Sequence, residues 1–392
     1  MNKRISFEPE FEHKPVSQRY LIWRRFTRHK LGVLGGVVLV TMLFVFFFAE
    51  FFSPYSYIKT HTSLSFIPPM ADRIHFDGFA PYVYGIGKEQ VFKEINGNKV
   101  RLPGVFNTVE NTAKKYYIQW FVPGDDYKLL GLIPSNIHLF GTGEPPNSKG
   151  QFFFFGTDNH GRDQLSRILF GGRMTLAIAP LVILVSFFLG TLIGGFSGFL
   201  GGRWDTVIQR ITEIFMSLPR LALLLALLGL LAYLGYIPPE ARFWSIVGLL
   251  SLIGWAPLSR VVRGQFLALR ESEFTQAARA LGASNYRIVF RQILPNIMSY
   301  LVVAATLAIP DIVILESILS FLGYGIQHPL TSWGQLLNAF QAEGFNNHIQ
   351  FHPWLLIPAA FIVLTVLSLN FLGDALRDAY DPFNVVGGDE AS

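Results

Sequence analysis

Long runs of hydrophobic positions recur along the chain, separated by shorter polar stretches. A run of roughly 18 or more apolar residues is what a helix needs to cross about 30 Å of hydrocarbon. Runs of this kind predict six spans, at about 31–52, 174–199, 211–235, 243–263, 297–322 and 354–373. The third and fourth hold Glu213, Arg220 and Arg260 in or beside them. The first follows Arg24, Arg25, Arg28 and Lys30, as a signal peptide's apolar core would. It is too long for that role and no small-x-small cleavage site follows it, so it reads as a retained span.

The segment between the first two spans, 53–173, mixes Pro, Gly, Tyr, Asp and Lys in the proportions of a soluble protein. Within it, Asn96-Gly97 stands between two short strand-like runs and predicts a hairpin turn. Tyr82, Tyr84, Tyr116, Tyr117, Trp120 and Phe121 supply a small core or an interaction surface. The expected fold class is therefore an all-α polytopic membrane protein of six transmembrane helices, with a β-containing insert between helices 1 and 2.

Composition removes the alternative of two or three soluble domains that 392 residues would otherwise suggest. Hydrophobic residues make up 51%, charged residues 15%, and Phe occurs 37 times. The formal charge of +5 does not point to nucleic acid, because the basic residues sit beside apolar runs. Lys3, Arg4, Lys14, Arg19, Arg24, Arg25, Arg28 and Lys30 precede the first span, and Arg263, Arg270, Arg279, Arg287 and Arg291 follow the fourth. The stretch 323–353 has no Lys or Arg. Both termini and the 264–296 loop are thus expected on the cytoplasmic side, and the 53–173 insert outside, since long loops translocate regardless of charge. With no cysteine, disulfides, thiolate catalysis and Cys-based zinc sites are excluded.

In the second span, Gly190, Gly194 and Gly198 recur every fourth residue and predict a close helix crossing. The 264–296 loop is the most informative stretch. Glu273 to Leu281 are mostly good helix formers, and Gly282 can end that helix in a left-handed conformation. Ser284 or Asn285 can cap a second short helix that Pro295 helps to bound. Ala277, Ala278 and Leu281 are expected to form a small apolar patch among Arg279, Arg287 and Arg291.

This stretch resembles the loop of ABC-importer permeases with the pattern Glu-Ala-Ala-x3-Gly-x9-Ile-x-Leu-Pro. Ala277, Ala278, Gly282, Leu294 and Pro295 match; Gln276 replaces Glu and Gln292 replaces Ile. Three further segments resemble the second permease of the oligopeptide, dipeptide and nickel type. They are Gly156-Thr-Asp-Asn-His-Gly-Arg-Asp163, Leu315-Glu-Ser-Ile-Leu-Ser-Phe-Leu-Gly323 with Ser332-Trp-Gly334, and Leu369-Asn-Phe-Leu-Gly-Asp374 with Asp381-Pro382. The resemblance covers 156–382, more loosely the tail and first span.

The resemblance implies the type I importer permease fold in the inner (cytoplasmic) membrane: a tail over 1–30, a first helix at 31–52, the insert at 53–173, a permease domain at 174–382 and a tail over 383–392. It implies that the 273–295 hairpin docks on an ATPase and couples nucleotide-driven movement to the spans. Gln276, Ala277, Ala278, Arg279, Leu281, Gly282, Arg287, Leu294 and Pro295 would carry that role. The implied partners are a homologous second permease, two ATPase subunits holding ATP and magnesium, and an extracytoplasmic substrate-binding protein. Short peptides are the leading cargo, with oligosaccharides or nickel as alternatives. The chain contains no Walker A pattern, so P-loop ATP hydrolysis falls to the partners and no cofactor is expected on this chain.

Asp311 and Glu316, ionisable residues in the fifth span, are candidates to line the pathway. Asp158, His160, Arg162 and Asp163 read as a turn and elbow leading into the second span. His328, His348 and His352 lack ligand spacing and read as solvated loop histidines. The insert is expected either to touch the binding protein or to brace the second permease. A membrane-anchored sensor or a proton-coupled transporter would explain the spans but not the Gly282 to Pro295 hairpin.

Overall fold

The structure, a computed structural model, describes residues 17–95, 98–145, 148, 150–342 and 350–380. Among the described residues, five helices are long and apolar enough to cross a membrane. They are α2 (Lys30–Phe47), α4 (Gln164–Leu200), α7 (Pro239–Arg270), a continuous helix Asn285–Phe321 and the helix α12 (Ile357–Tyr380), which with its leading turn runs Pro353–Tyr380. A short α1 (Gln18–Arg28) precedes α2 within the stretch expected as a plain tail. The turn α3 (Ala49–Phe52) extends α2 to the end of the first expected span.

The expected span at 211–235 is not one helix. It is broken into α5 (Gly202–Ser217) and α6 (Arg220–Leu234), bent by 85°. Pro219 is the cause. The residue before a proline is pushed out of the helical region, and Leu218 lies extended at φ −83°, ψ 136°. α5 carries Arg203, Asp205, Gln209, Arg210 and Glu213, with Arg210 and Glu213 paired at 2.8 Å in solvent. α6 is wholly apolar beyond Arg220, but its 15 residues reach only about 22 Å.

α4 and α7 form the central pair. A Cβ at Gly194 would sit 2.9 Å from Ser259 Cα, and one at Gly198 2.6 Å from the Arg263 carbonyl. At Gly190 the same atom would meet Leu258 at 2.9 Å. The three glycines therefore let the two backbones touch, as small residues do where helices pack in lipid. On the other side of α2, a Cβ at Gly35 would lie 2.6 Å from the Ser368 carbonyl of α12. Ile178, Ala179, Leu224, Ile246, Leu250, Val313 and Trp333 fill the core between these elements.

Among the described residues, the insert holds two sheets. Strands β1 (His75–Asp77), β2 (Ala80–Ile95) and β3 (Asn98–Tyr117) form an antiparallel sheet in that order, and β4 (Gln119–Leu129) pairs with β5 (Ile133–Gly141). Ile95 faces Asn98 across the β2–β3 hairpin. The turn residues Asn96 and Gly97, His348, and the tail over 383–392 lie outside the described residues. Val83, Ile86, Phe152, Phe153, Ile67 and Met70 make a separate small core beneath the first sheet.

Gly194→Leu is expected to destabilise the chain by about 1–3 kcal/mol, since overpacking forces the backbones apart. Gly248→Ala, which meets nothing within 4 Å, serves as control. Thermal unfolding in detergent should show a lowered midpoint for the first variant and none for the second.

Candidate functional site

Three regions bear on function: a helical hairpin at one end of the spans, a charged cleft among them, and a buried junction between insert and spans.

The hairpin begins at α8 (Glu273–Ala280), directly after α7. Ser272 turns the chain, its Oγ donating to the Leu269 carbonyl at 2.6 Å. Gln276 donates its side-chain amide to the Glu271 carbonyl at 3.0 Å. An ionised glutamate has no such hydrogen, so the departure from the pattern at 276 supplies a bond that the usual residue cannot make. At the other end, Gly282 sits at φ +80°, Ala283 N–H donates to the Ala278 carbonyl and Gly282 N–H to the Arg279 carbonyl, each at 3.0 Å. This is the paired closure of a Schellman cap. Ser284 then caps α9 (Asn285–Ile288), accepting from Arg287 N–H at 3.3 Å.

Pro295 does not bound that second helix. α9 passes through a π turn, Val289–Ile293, into α10 (Leu294–Phe321) without a break. Pro295 stands in the first turn of α10, where its missing N–H would strip a carbonyl of its donor. The wider turn re-registers the hydrogen bonds, with Leu294 N–H reaching the Val289 carbonyl. The second helix of the hairpin and the span are therefore one rod, Asn285–Phe321.

Ala278 also departs from expectation. It is buried with Val262, Phe266, Ile288, Ile293 and Ile297, so it fixes the hairpin to α7 and α10. Ala277 lies outward, with Phe274 and Leu281 at positions i−3 and i+4 on the same helix face. Leu281 is 89% exposed. Gln276, Arg279, Gly282, Arg287, Arg291 and Pro295 are exposed, and Leu294 is half-buried. The outward face is thus an apolar knob, Phe274, Ala277 and Leu281, ringed by arginine.

The cleft, of about 390 Å³, lies between α4, the α5–α6 break, α7 and α10. Its walls include Ser186, Leu218, Gly254, Pro257 and Tyr300, and its charged members are Arg220 and Asp311. Helix prolines cluster at the cleft, since Pro257 lines it, Pro310 precedes the lining Asp311 and Pro180 lies two residues before the lining Val182. Each removes the hydrogen bond to a carbonyl one turn earlier. Placing an aspartate in the middle of a span costs about 3 kcal/mol, so Asp311 remains a candidate for a functional group. Glu316, five residues on, is instead fully buried. It accepts from Ser320 Oγ at 2.7 Å and does not line the cleft.

At the junction, Asp158 is 2% exposed and accepts from Arg162 Nε at 2.8 Å, from the N–H groups of His160 and Arg162 at 2.9 Å, and from Arg167. Burial alone would raise its pKa. The two guanidinium charges and the backbone N–H outweigh it and hold the carboxyl below the usual range. Arg167 reaches on to Gln335 at 3.3 Å. Asp163 caps α4, accepting from Ser166 N–H at 2.8 Å. Full burial pushes its pKa up to about 6 against those bonds. His328 lies 3.5 Å from Arg162, and His352, expected in solvent, is buried and stacks on Phe66. Trp354 Nε1 donates to the Thr157 carbonyl and Trp333 Nε1 to that of Ile168, both at 3.0 Å.

Two clamps escaped sequence reasoning. Arg173 of α4 grips Glu50 with both terminal nitrogens, at 2.7 and 2.6 Å. Arg263 of α7 grips Asp205 of α5 at 2.5 and 2.6 Å. Their partners lie 123 and 58 positions away, and no local pattern joins them.

The family model for the binding-protein-dependent transport system inner membrane component matches residues 190–384, and that for the N-terminal TM domain of oligopeptide transport permease C matches 17–69. A peptide permease protein of Brucella suis is 40% identical over 251 residues, covering 64% of this chain and 78% of the relative. The oligopeptide transport system permease protein OppC of Escherichia coli is 42% identical over 230 residues, covering 58% and 72%. This chain belongs to the binding-protein-dependent transport permeases. A solved structure of the MetNI methionine ABC transporter in inward-facing form is similar over 54% of this chain and 96% of the other, at 22% identity and TM-score 0.43. The strands of the insert lie in none of the stretches that the two family models match. The permease is a transport component, helical and multi-span, with a strand-bearing insert between its first two spans.

The pKa of Asp163 makes a signed prediction for this permease. A carboxyl raised in the folded state from 3.8 to about 6 contributes fully below 3.8, and that contribution is lost as pH rises through 6. Asp163→Asn keeps a capping oxygen without the charge. Its stability advantage over the native chain should be near zero at pH 4 and grow to at most about 3 kcal/mol above pH 6. The depressed Asp158 acts with the opposite sign, below the usual carboxylate range, and leaves this window clear. Unfolding midpoints between pH 4 and 7.5 test it; parallel curves would show that Asp163 is not perturbed.

Proposed function

We propose that this chain is a transmembrane subunit of an ABC importer for short peptides. It forms half of the translocation pathway in a bacterial inner membrane, with both termini cytoplasmic and the insert outside. A homologous second permease supplies the other half. Two ATPase subunits carry ATP and magnesium, and this chain has no ATPase site of its own. An extracytoplasmic binding protein delivers the cargo. Relatives named for peptide transport, at 40–42% identity, support the cargo.

The observation that carries the reading is the hairpin. Among the described residues, a knob of Phe274, Ala277 and Leu281 has no apolar partner in the core clusters, while Ala278 locks the hairpin to the spans. Pushed from the cytoplasmic side, such a hairpin cannot yield locally and must move α10. ATP binding in the partners would thus tilt the rod and open the cleft outward. The exposed face of the insert, with Phe79 and Leu132 at 103% and 81% exposure, is a suitable seat for the binding protein.

Gly282→Pro cannot adopt φ +80° and should rotate the knob off its seat. Membrane insertion and assembly are expected to persist while ATP-driven peptide uptake in proteoliposomes falls at least about tenfold. Native-like uptake would refute the coupling role. Phe79→Ala combined with Leu132→Ala should raise the binding-protein concentration needed for half-maximal ATPase stimulation several-fold. An unchanged value would assign the insert a bracing role.

A further inference from the structure

The charged cleft has chemistry that a passive channel wall does not need. Arg220 and Asp311 enter it from different elements, the start of α6 after its break and the turn of α10 after Pro310. Both line the same cleft. They are nevertheless not joined: no ion pair within 4.0 Å links them, and neither side chain makes a hydrogen bond among the described residues. Elsewhere this chain pairs such groups fully, as at Arg173 with Glu50 and Arg263 with Asp205. An acid and a base held apart in an apolar cleft suit a ligand with separated charges of opposite sign.

We propose that Arg220 and Asp311 form a peptide-terminus site, with Asp311 receiving the free ammonium of a short peptide and Arg220 its carboxylate. This rests on the reading of the chain as a peptide permease and adds a recognition site within the pathway itself. The guanidinium offers two parallel donors to a carboxylate, which a lone ammonium cannot reproduce. The aspartate offers acceptors only and suits an ammonium. Both termini are common to all short peptides whatever their side chains. The site therefore selects for an uncapped main chain and leaves side-chain choice to other parts of the system.

The test crosses changes in the protein with changes in the ligand. The complete complex, without binding protein, is placed in lipid nanodiscs. Equilibrium dialysis then measures its affinity for radiolabelled trialanine, N-acetyl-trialanine and trialanine amide. Asp311→Asn is expected to weaken trialanine and its amide about tenfold while leaving the acetylated form unchanged. Arg220→Gln should weaken trialanine and the acetylated form similarly and spare the amide. Asp311→Glu, which keeps the charge, should preserve the native pattern and control for folding. The proposal is overturned by an absence of saturable trialanine binding in the native complex, or by variants that weaken all three ligands by the same factor. ATP-driven trialanine uptake with binding protein present separates the two levels. Uptake by the native complex without the charge-specific pattern sinks only this site; no uptake at all sinks the peptide reading with it.

Discussion

The bundle depends on the direct contact between the backbones of α4 and α7. Lipid chains are as apolar as leucine, so helices in a membrane gain little from hiding hydrophobic surface from one another. What remains is close packing, and it requires the absence of side chains at Gly190, Gly194 and Gly198. With that axis fixed, α7 can carry the hairpin at its end. The Arg263 grip on Asp205 then holds α5 against it. The cleft is bounded by this pair on one side and by the α5–α6 break and α10 on the others.

The second organising fact is that α10 has no joint where one was expected. Proline near a helix start ordinarily invites a boundary, and Pro295 follows a short capped helix. The π turn absorbs it instead. A hairpin that ended at 295 would be a flexible tab, able to dock without transmitting anything. One that continues as a rod of 37 residues spans about 55 Å. Displacement of α9 then meets no break in the helix before it reaches the cleft.

Much of this was legible in the residues. Spans announce themselves because crossing hydrocarbon demands length, and Gly282 announces a left-handed cap because few other residues accept one. The break at 218–219 was missed because a hydropathy window averages over Pro219, whose effect is geometric and falls on its neighbour. Ala278 was placed outward because a helix face is read from composition, and alanine suits a surface knob and a tight core equally. Glu316 and Asp311 looked alike as charges in one span. Only the packing separates a buried carboxylate bonded to the Ser320 hydroxyl from one facing a cleft. The Arg173 and Arg263 clamps join distant segments and leave no local trace.

The insert enters and leaves the bundle at one place. Thr157 N–H donates to the Ile67 carbonyl at 2.8 Å and Met70 N–H to that of Phe153 at 3.0 Å, so its two ends run side by side. Everything between them is a closed excursion whose length does not alter the separation of its anchor points. The entropy of closing such a loop grows only with the logarithm of its length, about 0.6 kcal/mol per doubling. Strands can therefore be added to or removed from this domain with little effect on the spans below. The insert is free to change its surface while the helical part, held by its glycines, stays as it is.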